Sequence, residues 1–149
     1  LKGDQLKPTK EDEMAKEKTW RESNIMICRN TGERKLQPAL VHKSGYIAIH
    51  AEPYLEHTVY HVTHVMSGAA IISGEYGLTS RAAAKEFAVQ CLACNVAETA
   101  WQETDFAETA KAFRQNAEFM KLCFDTRDRN SLKAKKLDPK LNAALRQIR

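Results

Sequence analysis

Four of the five histidines fall in one short stretch, His50, His57, His61 and His64, with Glu52 and Glu56 between them. Imidazole and carboxylate together can hold Zn²⁺ or another borderline metal. If the stretch is a strand, side chains alternate between faces, so His61 and His64 point apart while His57 and His61 share a face, and His50 can join from a neighbouring strand. Histidines hydrogen-bonded or solvated on a sheet face are the plainer reading, and no metal site is expected. His61-Val62-Thr63 matches the short His-x-Thr element of two-histidine phosphoesterases. That chemistry needs a second element to donate the proton that the first accepts, and the chain holds no second copy.

Cys91-Leu92-Ala93-Cys94 is a Cys-x-x-Cys. It falls deep in a stretch of helical period, away from the N-terminal turn that would depress a thiol pKa, so core packing is expected rather than redox or zinc chemistry. The loop Ser73–Arg81 precedes a helix whose N-terminus could present backbone N–H groups to a phosphate. It lacks the glycines or the Gly-Lys pair of the known phosphate loops. Arg81 and Lys85 are four apart and face the same way beside it. His57, His61 and Ser80 make a candidate ligand face. No nucleophile with an adjacent base is discernible, so no catalytic residue and no cofactor is expected.

Charge supplies the remaining signal. The chain has 149 residues and a net charge of +4, but residues 127–149 hold eight basic and two acidic side chains, leaving the remainder at −2. Arg127, Arg129, Lys133, Lys135, Lys136 and Lys140 are candidate phosphate contacts. Tyr46, Tyr60 and Tyr76 are candidate stacking platforms for exposed bases.

The elements that must position these residues follow from patterning. An apolar fraction of 43% and 28% charged residues are ordinary for a globular domain. Residues 1–19 form a charged arm with too few apolar side chains to offset their ordering entropy. From Trp20 short apolar segments alternate with turn signals, predicting an antiparallel meander of about five strands: Ile25–Cys28, Leu36–His42, Tyr46–His50, Thr58–Met66 and Ala69–Ser73. Pro38 cannot donate to a ladder, which marks the second strand as an edge. The pattern then turns helical. Thr79 or Ser80 caps a first helix burying Ala84, Phe87, Ala88, Cys91, Leu92 and Val96. A second carries Phe106, Ala110, Phe113, Ala117, Met120 and Phe124 on one stripe. Arg127–Lys136 reads as a solvated linker, and Asp138-Pro139 starts a short amphipathic helix with Leu141, Leu145 and Ile148. The expected organisation is an α+β domain over 20–126, with two packed helices, and a basic tail with a short helix over 127–149.

Residues 46–97 resemble the strand–strand–strand–helix half of a double-stranded RNA-binding domain. In that family a Gly-containing loop leads into a Ser-Lys-Lys-x-Ala-Lys motif at the helix start; here the stretch is Gly77-Leu78-Thr79-Ser80-Arg81-Ala82-Ala83-Ala84-Lys85. The resemblance implies phosphate contacts by Arg81 and Lys85 and puts His57 at the family's loop histidine. Ala82 replaces a basic residue, and the family's first helix would precede Tyr46, where strand and turn signals stand. The hairpin Tyr60–Gly68 with its Ala-rich helix also resembles small phage- and plasmid-borne proteins of unknown role.

The function expected is non-catalytic binding of nucleic acid or a place in a nucleoprotein assembly. The alternative is an oligomeric protein, a homo-oligomer, that binds a small anionic ligand or a protein partner, the latter through the amphipathic C-terminal helix. A histidine-dependent hydrolase comes third. No apolar run approaches the ~20 residues of a membrane span, and Leu1–Asp4 lack the apolar core of a secretory signal. The four cysteines read as free thiols, which places the chain in the cytoplasm or another reducing compartment.

Overall fold

The computed structural model describes residues 18–135. Five strands pair antiparallel in chain order: β1 (Trp20–Cys28), β2 (Arg34–His42), β3 (Ile47–Tyr54), β4 (His57–His64) and β5 (Ala70–Ile72). A single 3₁₀ turn, Gly74–Tyr76, leads to the helices α1 (Arg81–Ala93), α2 (Glu98–Gln102), α3 (Phe106–Arg114) and α4 (Ala117–Asn130). The α+β class and the meander-then-helices order are those the patterning predicts.

Alternation along β3 and β4 divides the sheet into two faces. Ile47, Ile49 and Val62 face the helices and join Leu78, Phe87, Cys91, Trp101, Phe113, Phe119 and Cys123 in the main core. On the other face Ala48 packs with Ile25 and Ala39 in a smaller cluster. That second cluster exists because the sheet curls: the Cys28 amide at the end of β1 donates to the Gly68 carbonyl in the turn between β4 and β5, at 2.9 Å. The sheet is thereby bent into a trough with a concave face.

Four expectations change on the structure. Pro38 sits in β2, which has a strand on either side, yet β2 pairs with β3 only at Leu40 and Val41. At Pro38 the only ladder is to Asn24 of β1, so the missing N–H leaves no β3 partner unserved. The single second helix is two helices. The Asn116 side chain accepts the Phe119 amide at 2.9 Å and starts α4 afresh. The restart rotates the stripe, burying Phe119 and Cys123 and leaving Phe124 52% exposed. Phe87 and Phe113, on the apolar faces read from the sequence, are buried, while Leu92 and Met120 on the same faces are half-buried at the margin of the core.

Arg127–Lys136 is no solvated linker as far as Lys135. α4 runs on to Asn130, Ser131 bridges to Leu78, and the Leu132 amide donates to the Gly77 carbonyl at 2.9 Å. Leu132 and Ser131 are buried, and the Ser131 hydroxyl accepts the Ala134 amide to begin another helical turn. One Leu among lysines gave no periodicity to read, yet its burial fixes the segment. Lys136, Lys140, the arm over residues 1–17 and the helix expected from Asp138-Pro139 lie outside the described residues.

Candidate functional site

The concave face of the trough carries the polar cluster. In the β3–β4 ladder His50 is directly opposite His61, with ring centroids 5.0 Å apart, and Glu52 follows two residues on, on the same face. His64 lies on the helix face, as alternation requires. Its Nδ1 accepts the Ser67 amide at 3.2 Å, its Nε2–H donates to the Ala100 carbonyl at 2.9 Å, and it stacks on Trp101. Burial holds its pKa below the ordinary 6.5, so it is a neutral core residue.

Around His50, Glu52 and His61 opens a cleft of about 700 Å³ whose walls include Arg29, Tyr54, Tyr76 and Arg127. His50 Nε2 stands 3.3 Å from Glu52 Oε1, with the His50 side chain only 2% exposed. Burial lowers the His50 pKa, and Glu52 offsets part of that. The Gly74 amide donates to His61 Nε2 at 3.2 Å. Burial first, then the neighbouring His50 and Arg29, push His61 down to about 4 against the pull of Glu52. Both rings are therefore neutral near pH 7, the form in which imidazole binds metals.

Two buried side-chain atoms among the described residues have no hydrogen-bond partner, His50 Nδ1 and Arg127 Nε. Both residues line this cleft. Buried polar atoms are nearly always satisfied, by protein groups, water or an ion.

The basic residues divide between two regions. Arg127 lies over the Tyr76 ring at 4.9 Å, and Lys133 covers the same ring at 5.2 Å while pairing with Glu75 at 3.6 Å. Tyr76 thus ties the start of the basic tail to the rim of the cleft. Arg129 and Lys135 are exposed. Arg81 lines a different cleft, of about 550 Å³, with Glu22, Asn24 and Tyr60, and Lys85 is half-buried one turn further along α1. Ser80 is the N-cap of α1 and its hydroxyl accepts the Ala83 amide at 3.1 Å. His57 is exposed at the far end of the hairpin, opposite Tyr54. Of the expected ligand face His57, His61 and Ser80, only His61 joins the buried cluster.

The expected stacking tyrosines are occupied. The Tyr46 hydroxyl donates to Glu98 at 2.8 Å and its ring stacks on Trp101. Tyr60 packs against the main core, and Tyr76 lies beneath the two cations. Arg29, by contrast, escaped the sequence reading, and Glu52 was named there only as a carboxylate near the histidines. Placing Glu52 required the β3–β4 register, set by a two-residue turn in which Leu55 adopts φ 56°. Finding Arg29 required the curl that closes the trough.

The cysteines are free thiols, with Cys91 and Cys123 buried. Cys91 lies in α1, but Cys94 falls just past its end, not deep in the helix; burial raises Cys91, Cys94 and Cys123 above their ordinary pKa, Cys123 to about 11, so they are protonated at neutral pH.

Compared with known proteins, the chain matches no family model, no curated sequence and no solved structure. Strand β2 stands where the resemblance to a double-stranded RNA-binding domain would put that family's first helix. No helix among the described residues is long and apolar enough to cross a membrane.

Proposed function

We propose that the protein is a non-catalytic nucleic-acid-binding protein that holds the phosphate backbone along a path from its basic C-terminal segment to the concave cleft. The observation that carries this reading is the double cover of Tyr76, where Arg127 and Lys133 meet over a ring that also lines the cleft. Arg29 continues the positive lining on the other wall, and Lys35 is close enough to act on His50. Lys135, Lys136 and Lys140 extend the charge in sequence. Because the tyrosines are engaged within the protein, binding works through phosphate contacts, which position a duplex without reading its sequence. Arg81 and Lys85 provide a second, separate pair of contacts at α1.

The test is direct. Changing Arg29, Lys133 and Lys135 together to Gln should weaken binding of a double-stranded oligonucleotide at least tenfold, about 1.4 kcal/mol, whatever its sequence. Lys121→Gln, which breaks only an exposed pair with Asp125 at 2.8 Å, should change it little. Unaltered binding by the triple variant would remove the cleft from the path. Equal affinity for a mononucleotide and a long duplex would favour the small anionic ligand as the occupant, the reading that the two unpartnered cleft atoms also support.

A further inference from the structure

We infer that His50, Glu52 and His61 form a binding site for a first-row divalent metal ion, with zinc as its simplest occupant. One ligand atom from each of the three lies within 4.8 Å of the others. Two nitrogens and one carboxylate oxygen are a ligand set such ions accept, leaving room for water or substrate at the remaining position.

Three features of the cluster point to an ion rather than to a hydrogen-bonded pair. A histidine donating to a carboxylate closes to about 2.7–2.9 Å when charge assists it, whereas His50 Nε2 and Glu52 Oε1 stand at 3.3 Å. Two ligands at about 2.0–2.1 Å from one tetrahedral ion are separated by about 3.3–3.4 Å, which is the spacing found. The His50 side chain is buried and makes no hydrogen bond other than the one to Glu52. In a tetrahedral site every ligand pair is about 3.4 Å apart, so the spread of 4.8 Å closes by about 1.4 Å, shared between side chains, when the ion enters.

The surroundings decide what the open position takes. His61 Nε2 accepts the Gly74 amide at 3.2 Å, and a neutral imidazole has a single lone pair, so coordination by His61 replaces that hydrogen bond. Arg29 and Lys35 add positive charge nearby, and Glu52 alone offsets it among the ligands. A water, hydroxide or oxyanion at the open position is therefore favoured over a neutral ligand. His57 takes no part, being at the other end of the hairpin.

The site lies in the cleft at the end of the proposed phosphate path, and its metal binding is tested without nucleic acid. The chelator-treated, tag-free full chain is titrated with Zn²⁺ by calorimetry and with Co²⁺ by visible absorption. One ion per chain is expected, with the d–d bands of nitrogen and oxygen ligation and no thiolate charge-transfer band. Glu52→Gln and His61→Gln should each weaken binding at least tenfold, while His57→Gln leaves it unchanged. Circular dichroism confirms that each variant is folded, and Glu52, whose side chain is 21% exposed, provides a readout should the histidine variant unfold. Absence of stoichiometric binding, a thiolate band from Cys91, Cys94 or Cys123, or undiminished affinity in a folded Glu52→Gln variant would each overturn the assignment.

Discussion

Replacing Phe113 by Ala should cost about 3–5 kcal/mol of folding stability, as truncation of a buried aromatic does. The ring is 6% exposed. It lies edge-on to Trp101 with centroids 4.8 Å apart, touches Phe119 at 4.7 Å and meets His64 at 5.4 Å. These are the contacts through which α2, α3 and α4 close over β4, so the cavity left by Ala opens where several elements join. A domain of this size has about 5–15 kcal/mol in all, and the variant should unfold at much lower urea than the parent. A loss below roughly 1 kcal/mol, the size expected of a surface position, would contradict the packing described.

Gly68→Ala should be comparably damaging, for a different reason. Gly68 has φ +75°, and a Cβ there would stand 2.5 Å from the Met26 carbonyl oxygen and 2.9 Å from the Cys28 amide. Left-handed backbone costs an Ala about 1–2 kcal/mol, and relieving the clash means breaking the Cys28–Gly68 hydrogen bond that closes the trough. A total of about 3 kcal/mol or more is expected, with loss of hydrogen-exchange protection at the Cys28 amide. Gly45→Ala is the comparison. Gly45 has a similar φ of +79° but open space where the Cβ would go, so only the backbone cost applies. Equal and small losses for both would mean that the closure contributes nothing to the fold.

Much of the fold was legible because its signals are local. The alternation of β-branched and polar residues through β4, the Ser80 cap and the apolar face of α1 are all decided within a turn or a strand. The break at Asn116 could also have been read, since Asn followed by a helical run is a capping signal; the continuous stripe of Phe113, Ala117 and Met120 obscured it. Leu132 could not have been found, because a single apolar residue acquires meaning only when Gly77 and Leu78 come to meet it. The same holds for the site. His50 and His61 were visible as residue types, but their partnership with Glu52 depends on a hairpin register fixed at Leu55, where no glycine or asparagine announces a turn. Arg29 reaches the cleft through tertiary curvature alone.

Burial of Ser131 and Leu132 also bears on how the tail is examined. Removing everything from Arg127 would cut away the end of α4 and its docking on Leu78, so loss of binding in that truncation would confuse charge with folding. Ending the chain after Lys135 keeps both intact and removes Lys136 and Lys140 with the segment beyond the described residues.

Binding of a phosphate backbone by charge makes affinity fall steeply as salt rises. Affinity of the intact chain for a labelled duplex is measured by fluorescence anisotropy at a series of salt concentrations. Each phosphate neutralised adds about −0.9 to the slope of log K against log salt. With Arg29, Lys133 and Lys135 as the minimum contact set, the slope should be about −2.7 or steeper, and it should be the same for unrelated sequences. A slope near zero, or no binding even at low salt, would contradict the account.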